Sequence, residues 1–151
     1  MNYYVFVNSR SHDWNDKVVP SFKIASHRIK NKVFPLYTGT KHQTLIKPND
    51  SFIFYLAGRR KQISFSFVAY GKIEGVEIND NYSEDDMHLS APIEKIVKLK
   101  PIIEYKPVSI YLVKDKLSFV TKKKKWGASL QGGIIKITKE DFDTIVKEMN
   151  K

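Results

Sequence analysis

The stretch from residue 46 to residue 73, IKPNDSFIFYLAGRRKQISFSFVAYGKI, constrains the fold more than any other part of the chain. In two runs, residues 52–56 and 63–69, large apolar side chains occupy every second position. This alternation, rich in aromatic residues, is typical of half-buried β-strands. The link at residues 58–62 contains a glycine and three cations and predicts an exposed turn. We therefore expect a β-hairpin at the centre of the core.

The two ends of the chain complete this outline. Residues 2–7 predict an apolar first strand. Thr138 opens the clearest helix, because Asp141 three residues later completes a capping-box pattern. The order of elements (strand, helix, several strands, short helix, terminal helix) is not the alternation of a βαβ fold. We predict one α+β domain over residues 1–151, a curled mixed or antiparallel β-sheet flanked by short helices and a C-terminal helix.

Four other segments have less regular patterns. Residues 17–26 predict a short helix interrupted at Pro20, because proline disrupts a helix interior. Residues 74–89 contain the acidic block of the chain and predict a surface loop. Residues 93–105 alternate apolar and charged side chains and predict a kinked strand. Residues 107–119 have helix-like apolar spacing for about two turns.

Charge and composition limit the partners. The chain has 26 lysine and arginine residues against 16 acidic ones, a formal net charge of +10. This excess favours polyanionic partners such as nucleic acid, and it also raises solubility. The absence of cysteine excludes disulfides, thiolate metal sites and a cysteine nucleophile. No apolar run approaches the roughly 20 residues that span a bilayer, and no secretory signal follows Met1. We expect a cytoplasmic protein without a membrane partner.

The residues that usually carry catalysis are scattered along the chain. The histidines form neither an i, i+4 pair nor a metal-binding spacing. The chain has no P-loop, no G-x-G-x-x-G motif and no G-x-S-x-G motif. We predict that the protein is not an enzyme and has no cofactor and no metal site. A minor alternative is an enzyme acting on nucleic acid, with a site assembled from distant residues such as His42 and His12.

A run of cations precedes one of the two tryptophans. Lys122, Lys123, Lys124 and Lys125 lie directly before Trp126. Ammonium groups contact phosphates, and an indole ring can stack on a base. We predict phosphate contacts for the four lysines and a stacking role for Trp126. The alternative is a solvated lysine face with Trp126 packed in the core.

The other tryptophan, Trp14, lies in a polar loop at residues 8–16. A lone tryptophan in such a loop either anchors the loop to the core or lines a pocket. Asn8 and Ser9, in the same loop, can hydrogen-bond a base edge. Rings combined with a few polar groups are how single flipped bases are held. The loop is therefore a candidate for a base pocket.

Five short motifs occur in an order that resembles the EVE domain, a family of the PUA-like superfamily related to the YTH domain. They are Asn2-Tyr3-Tyr4, Asp13-Trp14, the turn Lys47-Pro48-Asn49-Asp50 leading into Tyr55, residues 119–126, and Lys139-Glu140-Asp141-Phe142. The resemblance covers nearly the whole chain. It implies a compact barrel-like sheet with flanking helices, and a pocket for a modified base in DNA or RNA.

The resemblance also implies a set of site residues. The base pocket would be lined by Asn8, Ser9, Trp14, Phe34, Leu36 and Tyr55, and Lys41 and His42 would contact phosphate with the lysine run. Rings would supply apolar contact to a methyl group while polar groups read the base edge. The chain departs from the family at Phe34-Pro35, where the family has tryptophan and glycine. A smaller ring and a rigid backbone either change the width of the pocket or remove it.

Three hypotheses about binding follow. The leading one is a non-catalytic nucleic-acid-binding module that reads a modified or flipped base in an aromatic pocket with a basic rim. Its partner is DNA or RNA, and a monomer is compatible with the sequence. The alternative is a sequence-tolerant RNA- or single-strand-binding domain without such a pocket, which requires Trp14 to be buried. A protein-interaction domain whose acidic residues 74–86 dock a basic partner is least favoured.

Overall fold

A computed structural model of the chain describes residues 1–37, 39–58, 65–85, 87, 92–121, 123–130 and 132–151. At positions 105, 123, 124 and 128 it describes the backbone alone.

Seven of the strands in these ranges form one large sheet. They are β1 (Tyr3–Asn8), β4 (Val33–Tyr37), β5 (Ser51–Leu56), β6 (Ser66–Ile78), β7 (Ile93–Leu99), β8 (Ile103–Ser109) and β9 (Ile134–Ile137). A two-stranded sheet pairs β2 (Ser11–His12) with β3 (Val18–Val19). The α-helices are α1 (Ser21–Asn31), α2 (Ile110–Val113) and α3 (Lys139–Met149). Short 3₁₀ segments cover Gln43–Leu45, Lys114–Lys116 and Lys123–Leu130.

The large sheet is mostly antiparallel. Its strand order is β4-β7-β6-β5-β1-β9, and β8 pairs with β6 beside this path. The long strand β6 pairs with β5 and β8 through one part and with β7 through the other. Only the β1–β5 pair is parallel among the described pairings. The predicted α+β class is confirmed, and within the described residues the sheet does not close into a barrel.

The predicted hairpin is present in its pairing but differs in its burial. Strands β5 and β6 pair antiparallel, with Phe52 opposite Gly71. Every residue of β5 is buried, so the strand is covered on both faces and not on one, as the alternation suggested. Both faces are covered because β5 lies inside the sheet between β1 and β6, with a cluster of apolar side chains on each side. Of the predicted turn at 58–62, only Gly58 belongs to the described residues.

Three boundaries predicted from the sequence are wrong. Helix α1 begins after Pro20 and runs to Asn31, because Pro20 takes the N-cap position, where its missing N–H leaves no bond unmade. Strand β6 continues to Ile78, so the first part of the predicted acidic loop is paired backbone. The predicted helix at 107–119 shrinks to α2 and one 3₁₀ turn, because β8 continues to Ser109.

The cap of the terminal helix is confirmed. The Thr138 hydroxyl accepts a hydrogen bond from the backbone N–H of Asp141 at 3.1 Å, as a capping residue does. The buried Asp141 carboxylate also accepts bonds from the Ser118 N–H and hydroxyl, at 2.9 and 2.6 Å. The start of α3 is therefore tied to the segment that follows α2.

Two apolar clusters lie on the two faces of the sheet. One contains Phe6, Phe34 and Phe54 with Ala25 of α1, and we call it the α1 face. The other contains Ile53 and Tyr55 with Ile145 of α3, and we call it the α3 face. Successive residues of β1 and β5 alternate between the clusters, since side chains of a strand point to opposite faces.

None of the helices in the described ranges is long and apolar enough to cross a membrane.

Candidate nucleic-acid interface

A cavity of about 370 Å³ lies where β1 ends, and we call it the base cavity. Four parts of the chain line it: the residues around the end of β1, helix α1, strand β4 with the loop after it, and the turn before β9. The described lining residues are Val7, Ser9, Arg10, Ser11, Arg28, Phe34, Pro35, Tyr37, Thr40, Gly132 and Gly133. Its volume lies in the usual range of small-molecule sites.

Asn8 does not line this cavity, but its buried side chain holds the neighbouring end of β1 in place. Its side chain is buried, and Nδ2 donates to the carbonyl oxygens of Phe6 at 3.2 Å and Tyr55 at 3.3 Å. Its Oδ1 accepts a hydrogen bond from Nη1 of Arg28 at 2.9 Å. The predicted contact between Asn8 and a base edge is therefore not the arrangement observed, because both ends of the amide hold the end of β1 and Arg28 in place.

Arg28 and Glu84 form a buried ion pair behind the cavity. Nε and Nη2 of Arg28 donate to the two carboxylate oxygens of Glu84 at 2.7 and 2.8 Å, a bidentate geometry. The hydroxyl of Tyr37 donates to Glu84 Oε1 at 3.1 Å, and that of Tyr82 donates to Oε2. Burial raises the pKa of the Tyr82 hydroxyl, and the negative charge of Glu84 raises it further. This network joins α1, β4 and the segment around residue 84.

Phe34 lines the cavity but is almost completely buried. Its ring stacks on Phe6 at a centroid distance of 4.5 Å. The guanidinium of Arg28 lies 5.0 Å from the centroid of the same ring, a cation–π distance. Only 2% of Phe34 is exposed. The half-buried Tyr37 is therefore the more accessible of the two lining rings.

The mouth of the cavity carries polar and small residues. Ser9 and Arg10 are exposed beyond the end of β1. No carboxylate among the described residues pairs with Arg10. The carbonyl of Gly133 accepts from the N–H of Val7 at 2.9 Å, which fixes the turn against β1. A Cβ at Gly133 would lie 3.8 Å from Cγ2 of Thr40, so a side chain there would enter the space between two lining residues.

Trp14, Phe34 and Tyr55 do not meet in one pocket, which corrects the predicted arrangement. Trp14 is 71% exposed, and its Nε1 donates to the carbonyl of Asp85 at 2.8 Å. It lines a separate cavity with Tyr82. Tyr55 and Phe34 lie on opposite faces, because β5 sends Tyr55 into the α3 face.

Tyr55 is enclosed by apolar side chains. Its ring lies 5.0 Å from that of Phe67, and its buried hydroxyl has no hydrogen-bond partner among the described residues. Burial raises the pKa of this hydroxyl. Leu36, also predicted for the pocket, is fully buried in the α1 face and does not line the base cavity.

The predicted phosphate-contacting residues are partly described. Lys41 is exposed and His42 half-buried, directly after the cavity residue Thr40. Lys125 is exposed, Lys122 lies outside the described residues, and of Lys123 and Lys124 only the backbone is described.

Trp126 packs between two other rings. Its ring is edge-on to Phe65 at 5.1 Å and to Tyr111 at 5.4 Å. The ring is partly buried against the cluster of the α3 face. This placement agrees with the alternative in which Trp126 packs against the core.

Several lining residues were not identified from the sequence. Arg10 directly follows Ser9 in the loop that we singled out, and its charge at that position was the available signal. The glycine pair before β9 predicted a turn, but nothing local shows which residues the turn faces. Arg28 and Glu84 are 56 residues apart, and no spacing pattern connects them.

Within the described ranges, no group of three or more histidine, aspartate or glutamate side chains is placed to hold a metal ion.

Comparison with known proteins identifies the fold. The chain matches human THYN1, whose crystal structure was determined in complex with 5-methylcytosine-containing DNA, with a TM-score of 0.62 and 12% identity over 100% of this chain and 99% of that one. It also matches the NMR structure of Rpa0253 from Rhodopseudomonas palustris, with a TM-score of 0.56 and 12% identity over 99% and 94% of the two chains. No family model and no curated protein matches the sequence. The chain therefore shares its fold with THYN1 and Rpa0253.

Proposed function

We propose that the protein is a non-catalytic nucleic-acid-binding module of the EVE-domain type, which holds a modified or flipped base in the base cavity. The observation that carries the proposal is the cavity itself, which combines an apolar wall, hydroxyl groups and an arginine that no described carboxylate offsets. The similarity in fold to THYN1, a protein crystallised with 5-methylcytosine-containing DNA, supports nucleic acid as the partner.

Different lining residues would make the apolar contacts and the hydrogen bonds to a bound base. The side chains of Phe34, Pro35 and Tyr37 offer apolar contact for a ring or a methyl group. The hydroxyls of Ser9 and Thr40 can donate to or accept from the edge of a base. A mixture of apolar walls with a few oriented polar groups is how single bases are selected outside a duplex.

The two arginines at the cavity have different roles. Arg28 is neutralised by Glu84 and positions the ring of Phe34. Arg10, exposed at the mouth, has a charge that no described carboxylate offsets and can contact a phosphate. We assign supporting phosphate contacts to Lys41, His42 and the lysine run at 122–125, in a chain of net charge +10.

Catalysis is not supported by the chemistry of the cavity. Among its described lining residues there is no carboxylate and no imidazole, the side chains that most often act as general acid or base. His12 and His42 do not line it. The alternative of a sequence-tolerant binder required a buried Trp14, whereas that ring is exposed.

Filling the cavity tests the proposal. Gly133 does not have a left-handed φ, and a Cβ there would make ordinary van der Waals contact with Thr40, so Gly133→Val adds bulk without backbone strain. Gly75→Val is the matched control, because a Cβ added at Gly75 in β6 would have nothing described within 4 Å. Fluorescence titration would use DNA containing 5-methylcytosine, RNA containing N6-methyladenine, and their unmodified counterparts.

We expect the wild type to bind one modified strand more tightly than its unmodified counterpart. Gly133→Val should lose about tenfold in affinity for it, the order of one lost base contact, while Gly75→Val should bind like the wild type. Arg10→Gln should weaken binding to modified and unmodified strands alike and lower the salt dependence by about one phosphate contact. Equal affinity of the wild type for every modified and unmodified pair would contradict base reading, and unchanged binding by Gly133→Val would contradict this cavity as the site.

A further inference from the structure

A second cavity, of about 340 Å³, lies at the other end of β1. Strands β1 and β6, the residues before β8 and the first turn of α3 surround it. It shares no described lining residue with the base cavity. From Tyr3 in this cavity to Ser9 in the other, the extended backbone covers about 20 Å. The two cavities are therefore separate sites.

Aromatic rings form one wall of the second cavity. The rings of Tyr3 and Phe142 are 5.1 Å apart, and that of Tyr70 is edge-on to Phe142 at 6.2 Å. Tyr3 and Tyr70 are half-buried, so part of each ring faces the cavity. Ile103, nearly half exposed, adds an aliphatic surface to the lining. This wall suits a flat apolar or aromatic group.

Two lysines stand at the rim of the same cavity. Nζ of Lys72 donates to Oγ of Ser51 at 2.9 Å, and Nζ of Lys100 donates to Oδ1 of Asn49 at 2.7 Å. Both acceptors are neutral oxygens. No carboxylate in the described parts of the chain pairs with either ammonium group. The two charges are thus oriented by hydrogen bonds but not compensated.

The acidic residue of this cavity does not cancel those charges. Oδ2 of Asp143 accepts from Nζ of Lys139 at 2.7 Å, an ion pair four residues apart on α3. Lys72 and Lys100 therefore leave the rim with a positive charge that an anion can complement.

We propose that this second cavity binds a nucleotide, with its base against the rings of Tyr3, Tyr70 and Phe142 and its phosphate between Lys72 and Lys100. A ligand that combines a ring with a phosphate contacts both the aromatic wall and the two lysines. Inorganic phosphate leaves the aromatic wall in water, and a neutral nucleoside leaves the two lysines without an anion. A free mononucleotide and the phosphorylated end of a strand present the same chemistry.

Binding of adenosine 5′-monophosphate to the full chain, followed by calorimetry and by NMR shifts, tests the assignment. We expect the shifts to centre on residues of the second cavity. The double variant Lys72→Gln/Lys100→Gln should bind about tenfold more weakly, the size of effect that two lost surface charge contacts produce. Adenosine and inorganic phosphate should each bind at least about tenfold more weakly than the nucleotide, because each fills half of the cavity.

A matched double variant, Lys23→Gln/Lys30→Gln, removes the same charge from exposed positions on α1 and should bind the nucleotide like the wild type. Ile103→Glu places an anion at an exposed position of the cavity lining and should also weaken nucleotide binding. Equal losses in the two lysine variants, shifts confined to residues 9–11 and 132–133, or binding of inorganic phosphate as tight as that of the nucleotide would each overturn the proposal.

A comparison of 5′-phosphorylated with 5′-hydroxyl oligonucleotides identifies the source of the ligand. A preference for the phosphorylated strand that Lys72→Gln/Lys100→Gln abolishes supports the end of a strand. The absence of such a preference, with mononucleotide binding intact, supports a free nucleotide. If neither ligand depends on the two lysines, the cavity is not a nucleotide site.

Discussion

The Arg28–Glu84 pair and the Tyr55 hydroxyl are buried on opposite faces of the sheet and have opposite surroundings. On the α1 face, the charges of Arg28 and Glu84 are buried together. Asn8 accepts a hydrogen bond from Arg28, and the hydroxyls of Tyr37 and Tyr82 donate to Glu84. On the α3 face, the side chains around Tyr55 are apolar, and its buried hydroxyl has no partner among the described residues. Both faces enclose aromatic rings, and the contrast concerns the polar groups at these two places.

This difference indicates that the buried charges of the α1 face position side chains around the cavity more than they stabilise the fold. Burying an ion pair often stabilises a fold no better than apolar residues of the same volume. The Arg28–Glu84 pair instead connects β1, α1, β4 and the segment around Tyr82, and these are the parts that surround or support the base cavity. The α3 face packs as a core without lining that cavity, apart from Val7.

Removing one partner of the Arg28–Glu84 ion pair should produce the largest loss of stability. Glu84→Ala leaves the Arg28 guanidinium buried and unpaired, which should lower the free energy of unfolding by about 3–5 kcal/mol. Urea unfolding at neutral pH measures the change. Asp143→Ala, which breaks the exposed pair with Lys139, is the control and should lower the free energy of unfolding far less. Similar costs for the two variants would remove the distinction between the faces.

Replacing both partners sharpens this test. Arg28→Met/Glu84→Leu should recover most of the stability lost in Glu84→Ala, because no unpaired charge remains. The affinity of this double variant for the nucleic-acid ligand should be lower than that of the wild type. The Phe34 ring loses its contact with Arg28, and the Tyr37 hydroxyl loses its bond to Glu84. Full recovery of binding in the double variant would show that the pair does not position the cavity.

A single hydroxyl in the network should have an intermediate effect. Tyr82→Phe removes one of the donors to the Glu84 carboxylate and should lower the free energy of unfolding by about 1.5–3 kcal/mol, the range for hydrogen bonds to charged groups. Tyr111→Phe, at an exposed ring, is the matched control and should change little. Thermal unfolding followed by circular dichroism suffices, and a Tyr82→Phe variant as stable as the wild type would contradict the prediction.

The smallest expected change in the free energy of unfolding is an increase, and it comes from Tyr55→Phe. Tyr55→Phe removes a buried hydroxyl without a described partner and should raise the free energy of unfolding by about 1 kcal/mol. Loss of stability in this variant would show that the hydroxyl is hydrogen-bonded after all.

The gain in the free energy of unfolding from Tyr55→Phe should also increase at alkaline pH. Burial raises the pKa of Tyr55 above the ordinary 10.0, so above pH 10 the unfolded wild type releases a proton that the folded protein retains. Wild-type stability therefore falls as the pH rises, and the variant lacks this contribution of up to about 1.4 kcal/mol per pH unit. Urea unfolding from pH 8 to pH 11 measures it, and a constant difference between the proteins would contradict the sign.

Local features were predictable from the sequence, and long-range ones were not. The Thr138 cap and the β5–β6 pairing depend on neighbouring residues and turn signals, and both are present. The parallel β1–β5 pair joins residues 48 apart, such as Tyr3 and Ser51, and no local pattern specifies it. This pairing, with the alternation along β5, decides the face on which Tyr55 lies.

The candidate site was predictable only in part for the same reason. Ser9 and Phe34, which the family resemblance assigns to a base pocket, both line the cavity at the end of β1. Trp14 did not join them, because the short β2–β3 hairpin carries it outward, where its indole bonds Asp85. Glu84 lies between the exposed Ser83 and Asp85, and its burial depends on long-range contacts such as those with Arg28 and Tyr37.

The position of Met1 has a practical consequence for binding assays. Nζ of Lys72 lies 3.4 Å from the Met1 sulfur, so an affinity tag fused before Met1 would emerge beside the rim of the second cavity. An acidic tag there would compete with a nucleotide for the same ammonium groups. Lys151, by contrast, follows Phe142 by nine residues, most of them in α3, which carries a C-terminal tag about 13 Å along the helix axis. Purification through the carboxyl terminus therefore leaves both cavities open for measurement.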